Sequence, residues 1–393
     1  MTPTLTATEL LPRLRTALAG GPPVRLDQVA GTAPAPAPSG TAVVVRTSGS
    51  TTGVGRAVAL SAEALRHSAG ATHERLSGPG QWLLAVPPVH IAGIQVLVRS
   101  TLAGYEPVVL PDGRFEPAAL AETIRSMRSD VPRYLSLVPT QLHRVLDAGS
   151  AVTSAVATCA AVLIGGAHLP AGLRTRAERA GITVVHTYGM TETSGGCVYD
   201  GVPLEGVRVQ LAEGRILLTG PVLATGYLSE PHTDGDSVPS RRPTDPFMMA
   251  DGERWFRTSD AGRWVDGRLQ VLGRVDDVII TGGVNVHPVL VEHALAEMPG
   301  VAEAVVVGLP DPQWGQLLTV VLRPSGTPGT NGPNLTQVRA HVRDRLGQGA
   351  HVPRALVAVT EFPLRGPGKI DRITVTAQAA AALASGAGQR HRD

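Results

Sequence analysis

Short apolar segments alternate with helical segments over the first half of the chain, and this alternation limits the possible folds more than any other feature. The helical pattern is clearest at Ser61–Leu76 and Ile94–Leu102. The predicted strands are Ala42–Arg46, Trp82–Val86, Pro107–Leu110, Tyr134–Val138, Val162–Ile164 and Thr183–His186. A regular exchange of strand and helix is typical of a largely parallel sheet with crossover helices. The chain is therefore predicted to be an α/β protein.

Beyond Gly206 the pattern changes to short strands between Gly-rich turns, which favours a small antiparallel subdomain. These strands are Val207–Leu211, Arg215–Thr219, Trp255–Arg257 and Leu269–Leu272. After Arg274 a smaller α+β unit follows. Its predicted elements are helices Val289–Glu297 and Leu335–Leu346 and strands Ala302–Leu309, Leu318–Arg323 and Ala355–Val359. We therefore predict a large N-terminal domain over residues 1–274 and a small C-terminal domain over residues 275–393.

Composition excludes several classes of function. The formal net charge is +2, and no basic run interleaved with aromatic residues occurs, so a nucleic-acid partner is not expected. The apolar stretches are short and interrupted, which argues against a membrane span, and the N-terminus lacks the pattern of a secretion signal. Two cysteines, Cys159 and Cys197, are too few for a disulfide framework or a zinc cluster. A reducing cytoplasm is the expected location.

The chain contains a single lysine, Lys369, among 35 basic residues. Because most positions accept arginine, a position that keeps lysine is a candidate for requiring a compact ammonium group instead of a planar guanidinium. Survival by chance is the alternative. The setting of Lys369 in a Gly-Pro-Gly loop, LRGPGKIDR, favours the functional interpretation.

A hydroxyl- and glycine-rich loop follows the first predicted strand. It reads TSGSTTGVGR and provides five hydroxyls, three glycines and one basic end. Its candidate nucleotide-binding residues are Thr47, Ser48, Gly49, Ser50, Thr51, Thr52, Gly53 and Arg56. Glycines allow backbone N–H groups to approach phosphate oxygens, and hydroxyls add donors. The loop is not a Walker loop, because the Gly-Lys-Ser/Thr ending is missing. A surface loop without a ligand remains the alternative.

Three further segments carry candidate nucleotide contacts. In YGMTETSGG, Tyr188 could stack on a base, Thr191 could donate to a phosphate, and Glu192 could hold magnesium. The alternative for Glu192 is a helix N-terminal carboxylate. Asp260, placed at a strand end, and Arg274, placed in a later turn, could bond ribose hydroxyls or a phosphate. Taken singly, each of these two is more typical of an exposed surface residue.

In sequence order, TSGSTTGVGR, IGGA, YGMTE, RTSDAG, GRVDDVIITGG and RGPGKIDR resemble the signature series of the adenylate-forming superfamily, which includes acyl-CoA ligases, luciferases and adenylation domains. The resemblance spans residues 47 to 372. It implies an enzyme that uses ATP, Mg²⁺ and coenzyme A, with a large ATP- and acid-binding domain of layered, mostly parallel sheets. It also implies a small, mobile C-terminal lid that carries the catalytic lysine.

The resemblance also implies individual roles. Lys369, Thr191 and Glu192 would be catalytic, with Glu192 at the magnesium. Gly165, Gly166 and Ala167 would border the adenine, and Tyr188 would stack on it. Gly189 and Met190 would also contact the nucleotide, and Asp260 and Arg274 would hold the ribose. Asp276 would be the hinge, and Gly282 and Gly283 would line the approach of coenzyme A. The family's phosphate loop usually ends Pro-Lys-Gly. Here an extra threonine is present and Gly55-Arg56 replaces Pro-Lys, which puts nucleotide affinity in doubt.

Two longer stretches, Trp82–Ser100 and Val184–Leu204, are similar to the o-succinylbenzoate–CoA ligases of menaquinone biosynthesis. That resemblance implies an aromatic dicarboxylic acid as substrate, with His90 near the acid, and Ser194, Gly195 and Gly196 giving it room. Arg99 would pair with the carboxylate that is not activated. The alternatives are a solvent-facing Arg99 and a structural His90. Cys197 and Tyr199 are expected to be packing residues.

Other functions remain open at this stage. The nearest are another aryl- or acyl-CoA ligase, or a stand-alone adenylation domain that loads a carrier protein. The altered phosphate loop suggests a third alternative, a non-catalytic nucleotide-binding relative. A homo-oligomer is possible, and the sequence does not decide it.

Overall fold

A computed structural model describes residues 5–27, 34–47, 55–111, 113–228, 245–325, 332–365 and 369–391. The chain forms two compact units. The first comprises Met1–Leu169, Thr175–Thr258 and Trp264–Leu269, and the second comprises Pro170–Arg174, Ser259–Arg263 and Gln270–Asp393. The domain boundary placed after Arg274 stays a prediction.

The first unit begins with an amphipathic helix, α1 (Ala7–Leu18), which the sequence pattern did not predict. Its N-cap Thr6 and Glu9 form a capping box, and its buried face includes Leu10 and Leu14. A four-stranded sheet follows, in the order β1-β2-β3-β13. Its strands are β1 (Val24–Leu26), β2 (Thr41–Arg46), β3 (Ala57–Ser61) and β13 (Gly226–Tyr227).

The second sheet confirms the predicted parallel architecture. It has seven strands in the order β10-β9-β8-β7-β6-β4-β5, and the five from β8 to β5 are parallel. Its strands are β4 (Gln81–Leu84), β5 (Val108–Val109), β6 (Arg133–Leu137), β7 (Ala161–Ile164), β8 (Val184–Met190), β9 (Gly195–Tyr199) and β10 (Val202–Pro203). Helix α2 (Ala62–Arg75) precedes β4, and the helices between the strands are α3 (Ile91–Ala103), α4 (Pro117–Ser126), α5 (Pro139–Asp147), α6 (Ser150–Ala157) and α7 (Ala171–Arg179). All four residues of β7 are buried, which explains why its sequence is a continuous apolar run.

A third sheet matches the predicted antiparallel region. It runs β11-β12-β15-β14, with β16 beside β15, and the pairs β11–β12 and β14–β15 are antiparallel. Its strands are β11 (Arg208–Ala212), β12 (Arg215–Thr219), β14 (Phe247–Ala250), β15 (Glu253–Val265) and β16 (Arg268–Arg274). Two expectations are wrong: Asp260 lies inside β15, not at a strand end, and Arg274 is the last residue of β16, not part of a turn. Strand β15 runs 13 residues, far beyond the predicted segment Trp255–Arg257.

The second unit is an α+β structure, as predicted for the C-terminal region. Its strands are β17 (Ile279–Thr281), β18 (Val284–Val286), β19 (Val301–Asp311), β20 (Gly315–Pro324), β21 (Ala355–Ala358), β22 (Leu364–Arg365), β23 (Lys369–Ile370) and β24 (Gln389–Arg390). Its helices are α8 (Pro288–Ala296), α9 (Leu335–Leu346) and α10 (Arg372–Ala384). Alternation along β19 places Val306 in a core with residues of α8 and α9, and Val305 and Val307 in a second core with residues of α10.

None of the helices in the described part of the chain is long and apolar enough to cross a membrane.

Candidate active site

The predicted catalytic pair Thr191–Glu192 lies in a short turn between β8 and β9 of the seven-stranded sheet. Strand β8 ends at Met190, and a single 3₁₀ turn spans Thr191–Thr193. The Thr193 hydroxyl accepts a hydrogen bond from the Met190 N–H at 3.0 Å and lies 2.8 Å from the Gly195 carbonyl oxygen. Thr191 and Glu192 are both buried. The hydrogen bonds of Thr193 therefore order the turn that places Glu192 at the end of β8.

Glycine is required beside this turn because two backbones approach closely. A Cβ atom at Gly189 would lie 2.1 Å from the carbonyl oxygen of Gly195. Gly195 has a φ of 103°, which favours glycine, and the residue before it, Ser194, adopts the left-handed region at 53°. A Cβ on Gly195 would also lie 3.1 Å from Gln95, which leaves little open space. The predicted place of Gly195 and Gly196 beside the acid stays a prediction.

Glu192 is hydrogen-bonded to a tyrosine that the sequence motifs did not single out. The Tyr227 hydroxyl donates to Glu192 Oε1 at 2.6 Å, and the guanidinium carbon of Arg56 lies 3.3 Å from the centre of the Tyr227 ring. Burial, together with the charge of Glu192, raises the pKa of Tyr227 well above its usual value, so its hydroxyl remains a donor. Tyr227 thus connects the basic end of the Ser/Thr-rich loop to the candidate magnesium carboxylate.

The rest of the predicted phosphate loop, Ser48 to Val54, lies outside the described residues. Its two ends are joined, since the Thr47 N–H donates to the Arg56 carbonyl at 2.9 Å and the Arg56 N–H donates to the Thr47 hydroxyl at 3.0 Å. The predicted adenine-side residues Gly166 and Ala167 are exposed after β7, and Tyr188 is half-buried on β8.

Arg99 is buried in the first unit, and its side chain has no anionic partner among the described residues. Its residue is 4% exposed. Its Nη2 donates to the Tyr199 hydroxyl at 3.1 Å, its guanidinium lies 4.9 Å from the Trp82 ring centre, and its Nε has no hydrogen-bond partner among the described residues. Burial lowers the pKa of the guanidinium. The alternative in which Arg99 faces solvent is therefore wrong. Tyr199 is fully buried, as expected of a packing residue, and its hydroxyl also accepts the hydrogen bond from the arginine.

Two more buried polar atoms nearby have no hydrogen-bond partner among the described residues. They are Gln95 Oε1, one turn before Arg99 on α3, and the Ser194 hydroxyl, directly before β9. The Gln95 amide nitrogen donates to the Ser194 carbonyl at 2.7 Å, so α3 is fastened to the turn that carries Glu192. Buried polar atoms normally have a hydrogen-bond partner. Three exceptions on adjoining elements indicate that a polar ligand or ordered water completes this region.

His73 belongs to the same buried region. The Trp82 indole N–H donates to His73 Nε2 at 3.3 Å. Burial and the positive charge of Arg99 lower the pKa of His73 to about 4, so this ring is neutral at physiological pH. The predicted substrate residue His90 is the N-cap of α3 and is half-buried; it makes no side-chain cap hydrogen bond.

In the second unit, the predicted ribose and hinge residues lie next to one another. Arg274 Nε and Nη2 bond the two carboxylate oxygens of Asp276 at 3.0 and 2.7 Å. Burial alone would lower the pKa of Arg274, but the hydrogen bonds and charge of Asp276, with the charges of Asp260 and Asp277, raise it. The structure thus brings Asp260, Arg274 and Asp276 into one charged group.

Gly282 and Gly283 form the exposed turn between β17 and β18, with φ values of 58° and 77°. The Gly282 N–H donates to the Trp314 carbonyl at 2.9 Å. Lys369 begins β23, where it pairs with Arg365 of β22. Their roles toward coenzyme A and the adenylate stay predictions.

The donor set around Glu192 fits magnesium better than a soft metal. In the described residues, no group of three or more His, Cys, Asp or Glu side chains could hold an ion. Magnesium usually takes one or two carboxylates together with substrate phosphates, so the carboxylate of Glu192, next in sequence to Thr191, suits it.

The two cysteines are not candidate nucleophiles. Burial raises the pKa of Cys159 to about 11 and that of Cys197 to about 12, so neither is a nucleophilic thiolate at neutral pH.

Comparison with known proteins defines the class of this protein. The model of the AMP-binding enzyme family matches residues 11–228, and that of the AMP-binding enzyme C-terminal domain matches residues 290–369. The chain therefore belongs to the AMP-binding enzyme family, and the predicted adenylate-forming superfamily is confirmed.

Three individual proteins are similar to this chain over most of its length. A probable 2-succinylbenzoate–CoA ligase of Mycobacterium tuberculosis is 47% identical over 337 residues, which cover 84% of this chain and 82% of that protein. An amide bond synthetase from Marinactinospora thermotolerans is 27% identical, with a TM-score of 0.72 over 89% of this chain and 72% of that one. The o-succinylbenzoate CoA synthetase of Bacillus subtilis, solved with its acyl-adenylate intermediate, shares the fold at 24% identity. Its TM-score is 0.69, over 85% of this chain and 69% of that one.

Proposed function

We propose that this enzyme is an o-succinylbenzoate–CoA ligase acting in menaquinone biosynthesis. In the first half-reaction the acid displaces pyrophosphate from ATP and forms an acyl-adenylate. In the second, the thiol of coenzyme A attacks the acyl carbonyl and releases AMP. The relative from M. tuberculosis supports this activity through its 47% identity over most of the chain. A cytoplasmic location stays a prediction.

The structural support for the acid comes from Arg99. Burying a positive charge without a partner destabilises a protein. An anion and hydrogen bonds to the charged group are needed to offset that free-energy penalty. The described surroundings of Arg99 offer a tyrosine hydroxyl and an indole ring, and its Nε is unpartnered. o-Succinylbenzoate has two carboxylates and only one of them is activated. On this proposal the benzoate carboxylate supplies the anion that Arg99 lacks, directly or through water.

The remaining roles follow from the chemistry of the first half-reaction. A carboxylate and a triphosphate repel one another, so positive charge must be placed where negative charge develops. When bound at Glu192, magnesium would neutralise the departing pyrophosphate. Lys369 would bridge the attacking oxygen and the α-phosphate, for which a compact ammonium suits two oxygens on different molecules. Thr191 would donate to the α-phosphate.

Other residues would bind the nucleotide and control access. Tyr188 would stack on the adenine, and Asp260 and Arg274 would hold the ribose hydroxyls. Reorientation of the C-terminal domain at Asp276 would replace Lys369 by the Gly282–Gly283 turn, so that the thiol can reach the acyl carbonyl.

The test is thioester formation from o-succinylbenzoate, compared with benzoate, salicylate and octanoate at equal ATP and coenzyme A. We expect o-succinylbenzoate to exceed the monocarboxylates by at least about 100-fold in kcat/KM, because only it satisfies Arg99. Preference for another acid would contradict the proposed substrate. Adenylation without acceptance of coenzyme A would indicate a carrier-loading adenylation domain, and no pyrophosphate exchange with any acid would indicate a non-catalytic relative.

A further inference from the structure

The segment that carries Lys369 is anchored in the second unit by its backbone and by the residues that follow it. Arg365 and Leu364 of β22 pair with Lys369 and Ile370 of β23. The Asp371 N–H donates to the Pro363 carbonyl at 2.8 Å. The Asp371 carboxylate then accepts from the N–H groups of the first turn of α10 and from the Thr374 hydroxyl at 2.9 Å. Lys369 therefore stands directly before a capped helix.

The first residue of that helix, Arg372, bonds both a side chain and a strand. Its Nη2 donates to the two carboxylate oxygens of Glu292 on α8, at 2.7 and 2.9 Å. Its Nη1 donates to the Val306 carbonyl on β19 at 3.0 Å. The Val306 N–H in turn donates to Glu292 Oε1 at 2.8 Å. Arg372 thus ties α10 to α8 and β19 at one point.

This cluster is partly shielded from water and has a charged neighbour. The Glu292 side chain is 11% exposed and that of Arg372 is 33% exposed. Asp277, the residue after the predicted hinge Asp276, lies within the electrostatic reach of both. Arginine is suited to this place, because it bonds a carboxylate and a carbonyl at the same time, which a lysine with one nitrogen does less well.

We propose that Arg372 is a positioning residue for adenylation, which fixes the segment bearing Lys369 through Glu292 and Val306. Only two residues separate Lys369 from Arg372, so movement of the arginine shifts the lysine backbone. A displacement of about 1 Å at a catalytic group can cost about 100-fold in rate. The inference rests on the proposed function, because it takes Lys369 as the adenylation lysine.

The experiment measures the two half-reactions separately in the full-length enzyme. ATP–pyrophosphate exchange with o-succinylbenzoate reports adenylation, and supplied acyl-adenylate with coenzyme A reports thioester formation. We expect Arg372→Ala to lower the kcat of exchange by about 100-fold and to change thioester formation by less than about 3-fold, since that step does not use Lys369. Arg372→Lys and Glu292→Gln keep much of the cluster and should lower exchange by about 10-fold.

The matched control is Arg345→Ala, which removes an arginine from the more exposed Arg345–Glu297 ion pair of the same unit. It should leave both half-reactions unchanged. The Arg372→Ala and Glu292→Gln double variant should be no worse than Arg372→Ala alone, because the two residues act as one unit. Equal loss of both half-reactions in Arg372→Lys and Glu292→Gln would assign the pair a purely structural role and overturn the inference.

Lys369→Ala separates failure of the inference from failure of the proposed function. Loss of exchange in Lys369→Ala together with normal exchange in Arg372→Ala would overturn the inference alone. Full exchange in Lys369→Ala would overturn the role of Lys369 in the proposed function, and the inference with it.

Discussion

Arg99 in the first unit and Arg372 in the second are both withdrawn from water, but their charges are compensated differently. Arg372 bonds the carboxylate of Glu292 and a backbone carbonyl. Arg99 bonds a tyrosine hydroxyl and lies over an indole ring. Burial lowers the pKa of both guanidinium groups. At Arg372 the carboxylates of Glu292 and Asp277 outweigh burial and raise the pKa, whereas the pKa of Arg99 stays lowered. An arginine that is paired with a carboxylate of the same protein, as Arg372 is, stabilises the fold. A buried arginine without such a partner among the described residues, as Arg99 is, is suited to bind an anionic ligand.

The largest effect is expected at the lysine that Arg372 is proposed to hold. Lys369→Ala should lower adenylation by about 10²–10³-fold, by analogy with loss of a transition-state donor. Conversion of supplied acyl-adenylate to the thioester should persist. Pyrophosphate exchange and a single-turnover thioester assay measure the two steps. If Lys369→Ala lowered the rates of both steps equally, Lys369 would not be specific to adenylation. Arg372 would then have no adenylation lysine to position.

The next effect is on stability, where substitution of Arg372 and substitution of Arg99 should change the free energy of unfolding by different amounts. Arg372→Met leaves Glu292 without its cation and should reduce the free energy of unfolding by about 2–4 kcal/mol. Arg99→Met removes a charge that has no anionic partner in the described parts of the chain, so its change should stay within about 1 kcal/mol of zero. Urea unfolding of the two variants measures both quantities. If Arg99→Met proves the more destabilising, Arg99 has a compensating partner in the free enzyme.

The smallest effect is a change in acid sensitivity through His73. Its pKa is about 4 in the folded protein, below the ordinary histidine value of 6.5, so the unfolded state binds the proton first as pH falls. The stability due to neutral His73 is therefore complete above pH 6.5 and is lost between pH 6.5 and 4.

Removal of the Arg99 charge should raise the pKa of His73 and reduce this loss. We expect Arg99→Met to lose about 0.5 kcal/mol less than the wild type between about pH 7 and 5. Unfolding at the two pH values measures it, with the exposed Arg75→Met as control. An unchanged loss in Arg99→Met would show that burial alone, without Arg99, sets the pKa of His73.

The sequence predicted the order of strands and helices well where local pattern determines them. The strand Arg215–Thr219 and the helix Leu335–Leu346 have the predicted bounds. Strands that are long or polar were harder, because β15 continues through Arg, Ser and Asp residues that propensity disfavours. The hairpin of β17 and β18 and the helix α10 were not predicted, since the hairpin strands have three residues each and α10 follows a turn-rich loop.

The residues of the candidate site were found through motifs, but their partners were not. Tyr227 lies 35 residues from Glu192, and Tyr199 lies 100 residues from Arg99. Contacts of this range depend on how strands are ordered in the sheets, which periodicity along one chain does not specify. The Arg372–Glu292 pair, 80 residues apart, was missed for the same reason.

The most direct test of the account compares two acids that differ only in the carboxylate assigned to Arg99. kcat/KM would be measured for o-succinylbenzoate and for 4-oxo-4-phenylbutanoate, which lacks the benzoate carboxylate, in the wild type and in Arg99→Met. We predict a preference of at least about 100-fold for the dicarboxylate in the wild type and less than about 5-fold in Arg99→Met, with the KM for ATP unchanged. A dicarboxylate preference that survives in Arg99→Met would contradict the account.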